Sequence, residues 1–243
     1  MTMTTQTFTS TSRPVPRAVP PDTDGLQRVG GLAGFVIAAT YLLGMGLMAA
    51  YLVPRGFLDG QASPADSLAF LLDHQAMLYI WYLVLYLVGG IALVSLVLGV
   101  HHRLRTGAAG LSQTAEVIGQ IWAGLLLASG LVALVGQRAV VDLATTDPGM
   151  AASTWSSISV VQTALGGGIE IVGAAWVLLV SLAGIRSHFL GHGLGGLGIG
   201  IAVAGTWTLV PPAVTYAAPL FGLGLIVWFV WTGITLLRPP RRT

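Results

Sequence analysis

The chain has 243 residues, 54% of them hydrophobic and only 8% charged, with a net charge of +2 and no cysteine. Soluble domains carry about a quarter charged residues, so a mean hydropathy of +0.81 excludes an ordinary soluble globule. The lack of cysteine excludes disulfides, thiol catalysis and cysteine metal sites, and the eleven basic residues, all arginine, edge the apolar runs instead of forming a patch for nucleic acid.

Residues 1–27 are rich in Thr, Ser and Pro and nearly free of large apolar side chains. Such a stretch cannot bury a core, and it is expected to be a disordered cytoplasmic tail. No short apolar core with a cleavage site precedes the first long run, which therefore reads as a retained helix and not a cleaved signal.

Crossing a hydrocarbon core of ~30 Å takes about 20 helical residues. Apolar runs of that kind predict six spans, at about 29–53, 76–100, 117–136, 157–183, 194–213 and 217–237. Pro54, the HHRLR run from His101, the DPG turn at Asp147, the Arg186 region and the Pro211, Pro212 and Pro219 cluster separate them. Residues 28–238 thus form one membrane domain, and 239–243 a short basic cytoplasmic tail. The fold class expected is all-α, a polytopic transmembrane helical bundle. The first and fifth spans share glycine- and alanine-rich wording, which composition alone explains, so no inverted repeat is read.

Cytoplasmic flanks collect Arg and Lys. With both termini inside, Arg13, Arg17, Arg28, Arg103, Arg105, Arg186, Arg238, Arg241 and Arg242 are cytoplasmic, and only Arg55 and Arg138 lie outside. That asymmetry sets the orientation, and the use of arginine without lysine reads as a GC-rich bacterial genome, so the inner (cytoplasmic) membrane is the expected location. Trp81, Trp155 and Trp207 are expected near outer ends and Trp122, Trp228 and Trp231 near inner ends, as headgroup-level aromatics.

In the outer segment SPADSLAFLLDHQ, Ser63 is a cap for a helix with Pro64 at its first position and Asp66 in its first turn. Residues 64–75 either lie on the membrane surface or lengthen the second span. Arg138 and Asp142, four apart, are expected to pair if the third helix continues.

One acidic residue falls deep in the bilayer: Glu170, in GGGIEIVG. A carboxylate at a membrane helix centre costs about 2.5–3.5 kcal/mol on insertion scales. Gly166, Gly167, Gly173 and Ala174 around it are small and permit close helix approach, with Thr163 and Ser181 on the same side. Counting rise per residue, Tyr86 lies at the depth of Glu170, and Tyr79, Tyr82 and Tyr86 share one helical face. Thr40 and Ser129 lie at comparable depth.

Three readings of Glu170 follow, the third an intramembrane enzyme or a ligand-binding role. In the first it is a protonated carboxyl, since burial disfavours its charged form, bonded to Tyr or Thr as an interhelical tie. In the second it is a proton or cation site, because intramembrane carboxylates mark such pathways. An enzyme would need a second carboxylate or histidine beside it. His101, His102, His188 and His192, all predicted cytoplasmic, are a weak alternative as a metal set; His74 stands alone. Four-residue spacings at Gly30/Gly34, Gly124/Ala128 and Gly196/Gly200 predict close helix contacts, and no phosphate-binding loop exists.

GGGIEIVGAAWVLLVSLAGIR, the glycine-rich fifth span, FGLGLIVWFVWTGITLLRP and the opening RVGGLAGFVIAATYLLG together resemble the bacterial multipass family catalogued as a domain of unknown function, number 4386. The resemblance covers about Arg28 to Arg238. It implies a six-helix inner-membrane protein without established activity and a carboxylate after the glycines, matched by Glu170. The polar residue it implies just before is Ile169 here. The sequence therefore predicts a structural, sensory or partner-binding bundle without catalytic activity or cofactor, a small proton-coupled or solute permease being the alternative. Ligand or proton contacts are expected from Glu170, Tyr86, Tyr82, Thr163 and Thr40. The partners expected are the lipid bilayer and a membrane protein or second copy of the chain.

Overall fold

The computed structural model describes residues 23–57, 63–166 and 170–238. Among them there are helices and no strands. In a bilayer only intrahelical bonding or a closed barrel satisfies the backbone, and these long apolar stretches take the first course.

The helices are α1 (Thr23–Leu47), α2 (Pro64–Asp73), α3 (Gln75–Tyr82), α4 (Gly89–Leu104), α5 (Ala109–Ala144), α6 (Pro148–Gly166), α7 (Ile171–Arg186), α8 (His192–Trp207) and α9 (Val214–Leu237). Two π-helical segments, Met48–Leu52 and Leu83–Val88, extend α1 and join α3 to α4. Five stretches are long and apolar enough to cross a membrane: Gly25–Arg55, Gln75–Leu104, Ala109–Ala144, Pro148–Arg186 and Pro211–Leu237. The chain is a polytopic helical bundle.

Several expected boundaries hold. Pro54 falls in a 3-10 turn that Gly56 closes in the left-handed region at φ 89°. Ser63 caps α2, its hydroxyl accepting from the Asp66 N–H at 3.1 Å. The backbone breaks at His74 (φ −124°, ψ 25°), so α2 is a separate helix lying on α6 and not the start of the second span. His74 has a packing role, its ring stacked on Phe70 at 4.3 Å.

Other boundaries differ. The fourth expected span is two helices, α6 and α7, which end and begin around Glu170. Placed end to end, the Pro148–Arg186 stretch of 39 residues would measure about 58 Å, nearly twice the hydrocarbon thickness. The expected fifth span stops at Trp207, and its 16 residues reach about 24 Å. Pro219, expected as a stop, lies inside α9. Helix α5 runs past its expected end to Ala144, yet Arg138 and Asp142 form no ion pair among the described residues. The first helix starts at Thr23, inside the expected tail; the rest of that tail, the 239–243 tail, Gly167 and Ile169 lie outside the described residues.

Packing closes the helices into a ring. Helix α1 lies on α4 and α9, α4 on α5, α5 on α6 and α7, α7 on α8, and α8 on α9. Glycine sets the closest approaches: a Cβ on Gly30 would stand 2.7 Å from the Gly99 Cα, and one on Gly34 would stand 2.9 Å from the Phe229 carbonyl oxygen. Around Gly124, Gly196 and Gly200 there is open space, so those two expected seams do not form. Aromatic rings fill the ring of helices. Trp176 meets Trp228 at 5.4 Å and Trp122 at 5.7 Å, and Phe229 packs on Trp228 at 5.8 Å. Trp122 and Trp228 are therefore core residues, not interfacial ones, and Trp81 and Trp155 are buried too. Only Trp207 and Trp231 among the tryptophans are exposed. Lipid is as apolar as these rings, so tight dispersion contact, not transfer out of water, holds them.

The ends of the bundle differ in charge. A Cβ on Gly31 would touch the Leu237 side chain, one on Gly107 would touch Ser187, and Arg103 lies over the Phe189 ring at 5.5 Å. These contacts gather Arg28, Arg103, Arg105, Arg186 and Arg238 at one end, with the start of α1 beside the end of α9. Arg55 and Arg138 are at the other.

Candidate functional site

The site lies where α6 ends and α7 begins. Contacts of Gly119 with Trp176, Gly173 with Trp122 and Gly166 with Ser129 align α5 antiparallel to α6 and α7. This register sets Glu170 level with Leu125 or Leu126, about 24 Å along α5 from Ala109 and near the middle of that helix. A part-buried carboxylate thus sits at mid-height in the bundle.

Its neighbours come from five elements. Glu170 precedes α7 in a non-helical conformation (φ −88°, ψ 20°), and its side chain makes no capping bond. Its backbone N–H donates to the Thr208 hydroxyl at 2.9 Å, and Thr208 donates on to the Gly205 carbonyl at 2.6 Å. Helix α8 therefore ends against the start of α7. Tyr86, in the π segment, is buried beside Gly166 at the end of α6, and Tyr41 of α1 packs edge-on against Phe229. Ser129 of α5 donates to the Gln162 carbonyl at 2.9 Å and accepts from the Gln162 amide at 2.9 Å. A Cβ on Gly166 would fall 2.8 Å from the Ser129 Cβ and 3.1 Å from the Tyr86 ring, so glycine at the end of α6 is what admits the tyrosine.

The Glu170 carboxylate makes no hydrogen bond or ion pair among the described residues. What ties this segment to α8 is backbone. The expected carboxyl-to-hydroxyl bond is absent among the described residues, and the Thr40, Thr163 and Thr208 hydroxyls have other partners.

Of the other expected contacts, Tyr82 is buried, its ring 6.0 Å from Tyr86. Tyr79 is 38% exposed and leaves the stripe: the wider i→i+5 turns of the π segment rotate Tyr86 away from it. Thr163 lies beside Gln162, at 3.5 Å. Thr40 is buried but bonds its own helix, donating to the Ile37 carbonyl at 2.8 Å, and packs against Gly89 instead of reaching Glu170. Tyr82, Gln162 and Thr163 form one wall of a cavity of about 70 Å³, closed on its far side by Phe57, Ser67 and Phe70. That is room for a few waters, between the polar chain and α2.

The four histidines do not converge. His101 shares a 2.9 Å hydrogen bond with Ser112 and lies 3.4 Å from the Glu116 carboxylate, a local cap between α4 and α5. His188 stands in a turn at φ 55° and His192 opens α8. Among the described residues no three His, Asp or Glu side chains gather to hold a metal ion.

Sequence reading missed Thr208, Gln162 and Tyr41. Gln162 carried a usable signal, an amide in the otherwise apolar run VVQTALG two turns before Glu170. Thr208 and Tyr41 carried none, since their roles depend on where α8 stops and how α1 closes the ring. Comparison with protein-family models, curated proteins and solved structures gave no match.

Proposed function

We propose that this membrane protein is a small proton- or cation-coupled permease whose exchanging group is the Glu170 carboxylate. The observation that carries the reading is that a mid-height carboxylate at a non-helical position makes no hydrogen bond or ion pair among the described residues, while the Gln162 amide and the Ser129 and Thr208 hydroxyls near it all do. A tie would spend that carboxylate on a neighbour. Interrupted helices that place a charged group near the midplane are the usual construction of ion and substrate sites in transporters. The Gln162–Ser129 pair and the cavity below α2 supply a polar approach on one side. The arginine-poor end, where α2 lies, is read as the outer face, and the arginine-rich end as cytoplasmic.

The test is flux. Purified protein in vesicles carrying an internal pH-sensitive dye is given a proton, sodium or potassium gradient and a panel of small solutes. Wild type should dissipate at least one gradient, and Glu170→Gln, which keeps the shape but cannot titrate, should abolish that flux. Equal behaviour of the two proteins under every gradient would remove the permease reading. A static partner-binding bundle would then stand, which the dense glycine and aromatic packing favours.

A further inference from the structure

A second polar site lies far from Glu170. Between α3 and α5, at the α2 end of the bundle, a groove of about 390 Å³ is lined by Gln75, Tyr79, Gln137, Arg138 and Asp142, among others. Gln137 is only 4% exposed. Its amide N–H donates to the Gln75 carbonyl at 2.7 Å, which fixes the side-chain orientation, and its Oε1 is buried without a partner. Arg138 and Asp142 are neighbours one helical turn apart. Even so, both are exposed, and among the described residues neither side chain makes an ion pair or hydrogen bond. The groove thus presents one cationic fork and one carboxylate, neither of them paired among the described residues.

Its depth is also defined. Val117, Ile121, Leu131 and Val135 are the exposed large apolar residues of α5, and the eighteen steps from first to last make about 27 Å, close to a hydrocarbon core. Arg138 follows Val135 by less than one turn. Leu131, Val135, Arg138 and Asp142 succeed one another at i, i+4, i+7 and i+11, so one face of α5 passes from apolar to charged at headgroup level. Across the furrow, Ile80 and Leu83 are exposed beside Tyr79.

We propose that this furrow binds a phospholipid with a primary-ammonium headgroup, its phosphate on Arg138, its ammonium on Asp142, and an acyl chain along Leu131 and Val135. A guanidinium fork suits phosphate. A primary ammonium offers N–H donors to the Asp142 carboxylate, whereas a quaternary ammonium has none to give. The proposal rests on the membrane reading of the chain but not on any role for Glu170, so it stands or falls apart from the permease proposal.

The test is native mass spectrometry of the full chain in detergent, with phosphatidylethanolamine, phosphatidylcholine and phosphatidylglycerol of identical acyl chains, and soluble phosphoethanolamine as the headgroup alone. Wild type should retain phosphatidylethanolamine on the order of tenfold better than phosphatidylcholine, the scale of one hydrogen bond to a charged group. Asp142→Asn should bring the two lipids level, and Arg138→Gln should weaken both. Equal retention of the three lipids by wild type, or an unchanged preference in both variants, would overturn the proposal. Soluble phosphoethanolamine binding as tightly as the lipid would overturn the assignment to a lipid.

Discussion

Replacing Gly30 by alanine tests the helix ring at its tightest point. The new Cβ would stand 2.7 Å from the Gly99 Cα and 3.1 Å from the Ser95 carbonyl oxygen, whereas carbon atoms in contact prefer about 3.5–4.0 Å. Both obstacles are backbone, so no rotamer relieves them, and α1 and α4 must part by roughly 1 Å. Overpacking of this kind costs about 1–3 kcal/mol. Alanine also gains about 1 kcal/mol of helix propensity over glycine, which masks part of that cost. Gly200→Ala has the same propensity gain with nothing within 4 Å of its Cβ, so the difference between the two variants isolates the contact, about 1–3 kcal/mol. Gly99→Ala should match Gly30→Ala, its Cβ facing the Gly30 Cα at 2.8 Å. The double variant should cost less than the sum, because one separation serves both methyl groups. Unfolding in mixed micelles, followed by tryptophan fluorescence, measures all four. Equal stability of Gly30→Ala and Gly200→Ala would refute the close approach of α1 and α4.

Ser129→Ala should cost about 1–3 kcal/mol by leaving the buried Gln162 amide without its acceptor, and Gln162→Leu should show coupling to it in a double-mutant cycle. Trp176→Leu, at the centre of the aromatic cluster, should destabilise by at least about 2 kcal/mol, while Trp207→Leu on the exposed surface should stay within about 0.5 kcal/mol; a reversed order would return the tryptophans to an interfacial belt. Reporters fused after Arg105, Asp147 and Arg238 should read cytoplasmic, external and cytoplasmic; an external reading after Arg238 would invert or break the proposed orientation.

Elements whose cause is local were legible in the sequence. Apolar length announced most of the spans, Ser63 its cap, and Pro54 the stop after the first. The pairing of Tyr86 with the depth of Glu170 followed from rise per residue alone. What could not be read depends on neighbours. The glycines before Glu170 suit a close helix contact as well as a break, and periodicity does not distinguish them. Tryptophan at a helix end suits a headgroup or a core equally, and the choice fell to the ring formed by α5, α7 and α9. Gly124 and Gly200 share the spacing of Gly30 and Gly34, but only partners across the interface make a seam, and they have none. The π segment that turns Tyr79 outwards leaves no mark in composition.

The central claim is that backbone, not the carboxylate, ties the Glu170 segment into the bundle. The direct measurement compares the unfolding free energies of Glu170→Gln, Glu170→Leu and Thr208→Val. Thr208→Val removes the acceptor of the Glu170 N–H and should cost about 1–3 kcal/mol. Both Glu170 variants should be as stable as wild type or more so, since they remove a part-buried charge without breaking a bond. Loss of stability in Glu170→Leu with a silent Thr208→Val would contradict the account and make the carboxylate a structural tie.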